Sequence, residues 1–409
     1  MNNGLLVQKF GGSSLATPQK VLAAARRACA ESDAGRRVVV VVSAQGDYTD
    51  RLIGMAREID PRPNPRELDM LMAVGEQMSI ALMAIAIHTL GHDAISLTGA
   101  QAGIRTDGVS SKARITTIDT SRLRVELERD QIVIVAGFQG VDSENNITTL
   151  GRGGSDTTAV ALAASMGAER CDIFTDVAGV YTADPRMVEN ARWLPRLDYD
   201  ELLELASLGA KVMHSRAVEL AKRYEMPFRV RPSHDESEGT LVTNMSEELE
   251  QVDVRAAALE TNEAKITIRN VPDRPGIAAQ IFSEIARANI NVDMIVQNVS
   301  EQGLADVSFT VMQDDLPAAL QVVEGLGEGL GGAAVESEES IAKVSVVGVG
   351  MRSHSGVAER MFRALADRKI NIQMISTSEI KISCVVDADV GRQALQAVHD
   401  AFELGEEQR

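Results

Sequence analysis

A chain of 409 residues is too long for one ordinary hydrophobic core and predicts two or three domains. Hydrophobic residues make up 44% and charged residues 24%, as in globular proteins, while a net charge of −18 excludes a general nucleic-acid or anionic-membrane surface, so an anionic ligand needs local Lys or Arg. Cys29, Cys171 and Cys384 are far apart and odd in number, which excludes a disulfide framework or a cysteine metal cluster and fits a reducing cytoplasm; no basic segment followed by an apolar core opens the chain.

Leu5 to Phe10 reads as the first strand, followed by Gly11, Gly12, Ser13 and Ser14 and a helix from about Pro18 to Ser32. Lys9 therefore stands at the carboxyl end of a strand beside a glycine turn, where open α/β sheets collect ligands. Five consecutive valines, Val38 to Val42, suit a parallel strand buried on both faces, and this strand also runs into polar residues, Ser43, Gln45, Asp47 and Thr49. After a loop with Pro61, Pro63 and Pro65 comes the most hydrophobic helix, about Leu68 to Leu90; Glu76, Gln77 and Ser79 mark it as buried in protein rather than in a membrane. A carboxylate inside such a helix needs a partner, and for Glu76 both an arginine of the fold and the ammonium of a ligand stay open.

Ala94 to Thr98, Ile132 to Ala136 and Asp172 to Thr175 are further short strands, the last ending at Asp176. Thr148 to Thr158 (TTLGRGGSDTT) joins the short β-branched segment Ile147 to Leu150 to a helix over Thr157 to Met166, with Ser155 or Asp156 as its cap. Glycines ahead of a helix N-terminus leave N–H groups free for an anion, so this stretch reads either as an anion site or as a glycine-rich turn with a capping serine. Thr175 to Arg186, dense in turn formers, has the length and polarity to hold a nucleotide base and ribose. Lys211 follows Gly209 and Ala210 and precedes a helix over Met213 to Glu225; by itself it reads as a solvated charge. The alternation predicts an α/β domain with a mostly parallel sheet flanked by helices, closing with strands at Phe228 to Arg231 and Leu241 to Thr243. The acidic, less periodic stretch from His234 to about Asn262 predicts a linker.

The remainder is an internal repeat. Ala264-Lys-Ile-Thr-Ile returns as Ala342-Lys-Val-Ser-Val, and Phe282 to Ile295 returns as Phe362 to Ile375, at offsets of 78 and 80 residues. Each copy reads strand, glycine-containing loop, helix, strand, strand, helix, which predicts two small α+β units of the ferredoxin-like kind. Lacking a nucleophile, a histidine dyad or a metal cluster, a duplicated module of this sort reads as a sensor. In each copy a glycine loop (Asp273, Arg274, Pro275, Gly276, Ile277; then Ser353, His354, Ser355, Gly356, Val357) is set opposite an Asn-led strand (Asn291, Asp293; then Asn371, Ile372). That arrangement suits an amino acid, with Asp273, Asp293, Gln297, Asn298 and Glu379 as polar partners. Gly327, Gly329 and Gly332 match G-x-G-x-x-G but follow a helix and precede an acidic loop, so they make no dinucleotide fingerprint. No P-loop and no protein-kinase signature set occurs. His88 and His92 read as structural, and Met70, Met72, Met78 and Met83 as core filler.

With Lys9-Phe-Gly-Gly-Ser-Ser, Gly75-Glu76, Gly151-Arg-Gly-Gly-Ser-Asp156 and the Thr175 to Arg186 loop in this order, the chain resembles aspartate kinases of the amino-acid kinase superfamily over essentially its whole length. The repeat resembles their pair of ACT domains, with Val296-Gln-Asn-Val-Ser and Met374-Ile-Ser-Thr-Ser-Glu-Ile as typical phrases. The resemblance implies a catalytic domain over residues 1–245 and ACT-like domains over 263–335 and 340–405. It implies transfer of the γ-phosphoryl group of ATP, with Mg²⁺, to the side-chain carboxylate of L-aspartate, giving 4-phospho-L-aspartate on the route to lysine, threonine and methionine. Lys9 and Lys211 would neutralise the transferring group and the leaving ADP, Asp156 would hold those cations, and Gly11, Gly12, Gly153 and Gly154 would supply backbone donors. Ser43, Thr49, Glu76 and Arg152 would bind aspartate, and Thr175, Asp176, Tyr181 and Arg186 the nucleotide. Lysine and threonine would act at the ACT units, where Ser376 and Thr377 join the residues already named. The assembly would be a homo-oligomer, or an α2β2 complex with a small regulatory subunit begun near Met245. No nucleic-acid or membrane partner is implied. Two departures stand out: Ser43-Ala-Gln-Gly-Asp47 where many relatives read Ser-Ala-Met-Gly-Gly, and Ser355 where many have proline. The competing readings are an acetylglutamate or glutamate kinase on the same fold, and a non-catalytic amino-acid sensor.

Overall fold

The computed structural model describes residues 4–208, 213–245, 254–299, 303–327, 332–349 and 356–406; Lys211 and the stretch from Ser353 to Ser355 lie outside them. The chain forms two units, Met1–Tyr181 with Trp193–Glu248, and Thr182–Arg192 with Leu249–Arg409.

In the first unit β1 (Leu5–Phe10) passes through α1 (Pro18–Asp33) to β2 (Arg37–Val42). The Thr17 hydroxyl accepts from the Lys20 N–H, and Pro18 opens the helix with its fixed φ. Next come α2 (Tyr48–Ile59), α3 (Pro65–Met72) and α4 (Val74–Thr89). The single helix expected from Leu68 is thus two, divided at Ala73, whose carbonyl accepts from Gln77 N–H and also from the Gln139 side chain at 2.9 Å. β3 (Ala94–Leu97) precedes β4 (Ile104–Thr106), β5 (Ile115–Ile118), α5 (Ser121–Leu127), β6 (Ile132–Ala136), β7 (Gln139–Val141) and β8 (Ile147–Thr149). Then follow α6 (Gly154–Met166), β9 (Arg170–Thr175), β10 (Val180–Tyr181), β11 (Trp193–Leu194), β12 (Arg196–Asp198), α7 (Tyr199–Ser207), α8 (Ser215–Arg223), β13 (Phe228–Pro232) and β14 (Thr240–Thr243).

Eight of these strands make one sheet in the order β12-β14-β13-β9-β1-β2-β6-β3, parallel except at the β13–β14 pair. The valine strand lies inside it, Val39 to Val42 at zero exposure. The apolar stretch Pro65–Thr89 is long enough to cross a membrane by composition, but Met83 and Ile87 pack in the core with Phe10, Val40 and the apolar side of α1. β4, β5, β7 and β8 form a separate small sheet, so the segment before the glycine turn is an edge strand outside the main sheet. From β1 the chain moves first to β2 on one side and later to β9 on the other. The carboxyl ends of these three strands therefore border the crevice where an open sheet of this kind binds ligands.

In the second unit β15 (Ala256–Glu260) comes first, then β16 (Glu263–Pro272), α9 (Ile277–Arg287), β17 (Val292–Val299), β18 (Leu304–Met312), α10 (Leu316–Gly325) and β19 (Ala334–Glu338). β20 (Ile341–Val347), α11 (Val357–Asp367), β21 (Met374–Thr377), β22 (Lys381–Asp387) and α12 (Gly391–Ala401) complete it. The two repeats give two four-stranded antiparallel sheets, β17-β18-β16-β19 and β15-β20-β22-β21. β15 arises inside the stretch read as linker, so the second sheet takes its edge strand from ahead of the first repeat, and the first repeat is an insertion in the second. Thr182–Arg192 also belongs here: Ala183 and Val188 are buried with Leu395 and Val398, and the Thr182 carbonyl accepts from Ala257 N–H at 2.7 Å. A boundary drawn once along the chain does not anticipate that excursion, which leaves and re-enters the first unit through the β10–β11 pair.

Between the repeats, Lys343 is 1% exposed and its ammonium lies 2.5 Å from both Glu263 and Asp293. Lys265, its counterpart in the first repeat, donates to Gln373 at 2.5 Å and pairs with Glu338 at 2.6 Å. At the repeat offset Asp293 and Gln373 are also counterparts, so each module's lysine holds the other module's strand.

Candidate active site

The crevice is built on the end of β1. Lys9 is nearly buried, and its ammonium stands 2.6 Å from Asp156 Oδ1 in the first turn of α6. The expectation that Ser155 or Asp156 caps this helix is not met. The helix begins three residues earlier than read, its cap is Gly153 in the left-handed conformation, and Asp156 turns towards Lys9 instead. A carboxylate in a first helical turn also complements the helix dipole.

Beyond Lys9 the backbone of Gly11 and Gly12 runs against the loop after β2. A Cβ on Gly12 would meet the Ala44 carbonyl oxygen at 2.7 Å and that of Gly46 at 3.0 Å, and Gly46 N–H donates to Gly12. Ser43 N–H donates to the Phe10 carbonyl, which keeps Ser43 at the sheet's edge, and Thr49 lies in the first turn of α2. Ala44 N–H donates to Glu76 Oε1 at 3.0 Å. Gly75 makes this possible, since a Cβ there would come within 2.7 Å of the Ala44 Cβ.

Glu76 is buried where the sequence expects a partner for it. It is 3% exposed, no arginine reaches it, and Oε2 is buried without a hydrogen-bond partner among the described residues. Burial pushes its carboxyl up to about 7, against the pull of the N–H groups of Ala44 and of its own residue.

The glycine turn between β8 and α6 places Gly151 and Gly153 at positive φ with Arg152 exposed between them, making no ion pair or hydrogen bond with the described residues. The ring of His214, the cap of α8, lies on Gly153, where a Cβ would overlap the His214 Cβ at 2.1 Å. Burial and the nearby Arg216 hold His214 below its ordinary value, so the imidazole is neutral at pH 7. Nothing in the sequence pattern singled out His214, because its tie to Gly153 crosses 61 residues. At the end of β9 the Thr175 hydroxyl donates to Asp176, and Gly11 N–H donates to the Phe174 carbonyl. Tyr181 lies on β10, whereas Arg186 falls in the second unit, paired with Asp184. Lys9, Gly11, Gly12, Ser43, Glu76, Gly153, Gly154 and Asp156 are thereby joined by direct contacts or chain adjacency.

In the first repeat Asp273, Gly276, Ile277 and Gln297 line one cleft of about 410 Å³ with Arg274 and Pro275. Asn291 precedes β17, and Asn298 lies on it opposite Asp306. Asp293 is instead engaged by Lys343, so it is part of the inter-module bridge. In the second repeat Gly356 (φ +112) caps α11 ahead of the buried Val357; Asn371 and Ile372 precede β21, which carries Ser376 and Thr377, and Glu379 is in the turn after it.

Residues 4–232 match the amino acid kinase family, and residues 266–328 and 344–402 each match an ACT domain. An aspartate kinase of Stutzerimonas stutzeri (strain A1501) is 51% identical over 401 residues, covering 98% of this chain and 97% of its own. The crystal structure of E. coli aspartokinase III in complex with aspartate and ADP, described as an R-state, is 28% identical with a TM-score of 0.81, over 97% of this chain and 99% of that one. The same enzyme in complex with lysine and aspartate, described as a T-state, is similar at 29% identity and a TM-score of 0.75, over the same shares.

Proposed function

The chain belongs to the aspartokinases of the amino acid kinase family, and on that premise we propose that it transfers the γ-phosphoryl group of ATP to the side-chain carboxylate of L-aspartate, giving 4-phospho-L-aspartate. The observation that carries the reading is Glu76: a buried carboxylate with one oxygen on Ala44 and the other facing no donor, one contact away from the turn that abuts Gly12. A cation is what such a group lacks, and the α-ammonium of an amino acid supplies it. Arg152, exposed and without a partner among the described residues, suits a substrate carboxylate through its planar fork. Ser43 and Thr49 complete the aspartate pocket.

The attacking carboxylate is already ionised at neutral pH, so the reaction needs no general base; alignment and charge neutralisation carry it. Lys9 meets the developing negative charge, and Asp156 keeps its ammonium in place. The N–H groups of Gly11, Gly12, Gly153 and Gly154 receive phosphate oxygens, the latter two at the start of a 13-residue helix. Thr175, Asp176 and Tyr181 take the nucleotide, and Lys211 adds a second cation. The described residues contain no group of three His, Cys, Asp or Glu able to hold a metal ion. Mg²⁺, a hard cation that keeps its waters and needs few protein ligands, would come with ATP and would supply neutralisation of the phosphate charge.

Lysine and threonine are the proposed effectors, bound at the cleft of Asp273, Gly276, Ile277 and Gln297 and at the matching part of the second repeat around Gly356, Val357, Asn371, Ile372, Ser376, Thr377 and Glu379, with Asn291 and Asn298 beside the first. E. coli aspartokinase III, solved with lysine and aspartate in one state and with aspartate and ADP in another, supports lysine as an effector. A homo-oligomer, or an α2β2 assembly with a small subunit begun near Met245, is the proposed quaternary form.

Lys9→Ala and Asp156→Ala test the catalytic part. Each is expected to lower kcat by about a hundredfold or more with folding and ATP affinity largely kept, since an interaction specific to the transition state is lost. Turnover near wild type in either variant removes that residue from the catalytic group.

A further inference from the structure

The Thr149 to Gly153 turn is held from two sides by a buried carboxylate and a half-buried guanidinium that reach no substrate atom in the reading above. Asp69, on α3, is wholly buried and has no ion-pair partner among the described residues. Its Oδ1 accepts from Ser111 N–H at 3.0 Å, Ser111 Oγ at 3.2 Å and Thr149 Oγ1 at 2.6 Å; its Oδ2 accepts from Ser111 N–H at 2.9 Å and Thr149 N–H at 3.1 Å. One carboxylate thus ties a helix, a loop and the strand end that leads into the glycine turn. Ser111 sits at φ +65, a strained setting for a non-glycine residue, and a Cβ on Gly151 would meet the Ser111 carbonyl at 3.0 Å.

From the opposite side Arg216, on α8, donates through Nη1 to the Leu150 carbonyl at 2.6 Å and through Nη2 to the Ala113 carbonyl at 3.0 Å. Its own N–H donates to His214 Nδ1, and that ring rests on Gly153. Ala113 N–H closes the frame by donating to the Thr149 carbonyl. A buried carboxylate satisfied only by N–H and O–H donors of one loop and one strand end is an expensive way to fill space; an apolar residue would pack there at lower cost. The expense is understandable if the backbone it holds must not move.

We propose that Asp69 and Arg216 are positioning residues of the substrate site, a brace that fixes the Thr149 to Gly153 turn so that Arg152 is set for the substrate's carboxylate before binding. This rests on Arg152 meeting that carboxylate. Without the brace the turn would have to be ordered on binding; aspartate, which meets Arg152 inside the turn, would bear most of that cost, and ATP, whose phosphates meet only its helix-capping end at Gly153, little of it.

The experiment is steady-state kinetics and calorimetric titration with aspartate and with ATP or ADP on Thr149→Val, Thr149→Ser, Asp69→Asn and Arg216→Lys, alongside thermal unfolding. Thr149→Val deletes one charge-assisted donor and is expected to raise KM and Kd for aspartate about tenfold, with those for the nucleotide changed less than about twofold. Thr149→Ser, which keeps the hydroxyl, is expected to restore the wild-type value. Asp69→Asn and Arg216→Lys are expected to cost more in the same direction. If Asp69→Asn does not fold, Thr149→Val decides alone. Aspartate constants within twofold of wild type in a folded, active Thr149→Val, or equal losses for aspartate and nucleotide, would overturn the brace. A wild-type protein with no aspartate-dependent turnover would overturn the site reading itself, and the brace with it.

Discussion

Glu76 shows how far a single residue could be read in advance. Its place in an apolar helix announced a buried carboxylate, yet the choice between an arginine and an ammonium stayed open. The surroundings of its carboxylate depend on Gly75 pressing against Ala44 and on an N–H 32 residues away, contacts that leave no local pattern. The burial that pushes Glu76 to about 7 has two consequences. First, in the free protein at pH 6 the carboxyl is mostly protonated, whereas an ammonium partner requires it ionised. Aspartate binding is then expected to release close to one proton at pH 6 and almost none at pH 8.5, with KM for aspartate rising as pH falls below 7. Calorimetry in buffers of different ionisation enthalpy reads this directly, and pH-independent proton release would mean that Glu76 does not meet the ammonium. Second, a carboxyl whose folded value lies above its unfolded one binds more protons when folded, so it subtracts stability as pH rises from about 4.5 to about 7. Glu76→Gln has no such penalty. Its melting temperature relative to wild type is expected to climb between pH 5 and pH 8 while its aspartate affinity falls; a constant difference would contradict the assignment.

At the scale of elements, strand and helix identity was legible wherever burial imposed a period, as in the valine strand β2 and the repeated α9 and α11 segments. Boundaries were less so. The helix read from Thr157 starts at Gly154 because Gly151 and Gly153 take left-handed φ, a turn that frees the backbone to begin α6 early. The long apolar helix is divided at Ala73, beside a glutamine that arrives from a distant strand and so leaves no local pattern. Gly153 is the most demanding point of this geometry, combining positive φ with the His214 ring. Gly153→Ala is expected to lower kcat more than tenfold and to destabilise by about 2–4 kcal/mol, the sum of a left-handed alanine and a displaced neighbour. Adding His214→Gly, which removes the Cβ at 2.1 Å along with the ring, is expected to recover part of the melting temperature and leave mainly the backbone strain. A single variant that melts with the wild type would show that the α6 turn tolerates a side chain there.

The whole molecule carries information that no stretch of sequence could. A constant offset revealed the duplication, but the insertion of one repeat inside the other depends on β15 finding β20 across about 85 residues, and the acidic stretch that hides β15 resembles a linker. The same holds for the lysines. Lys265 and Lys343 look like solvated strand charges until the fold crosses them between modules. Lys343→Met strands the buried Glu263 and is expected to destabilise the second unit by about 3 kcal/mol. If that bridge relays effector binding, the variant is also expected to respond less to lysine and threonine while basal kcat stays the same; equal inhibition in variant and wild type would limit the bridge to stability. The central claim, an aspartate kinase governed by its ACT repeats, is tested most directly by ATP-dependent hydroxamate formation with aspartate, glutamate and acetylglutamate as acceptors, each repeated with lysine and threonine present. Turnover with aspartate alone, falling when both amino acids are added, is the predicted result; turnover with another acid in its place, or none with aspartate, would contradict it.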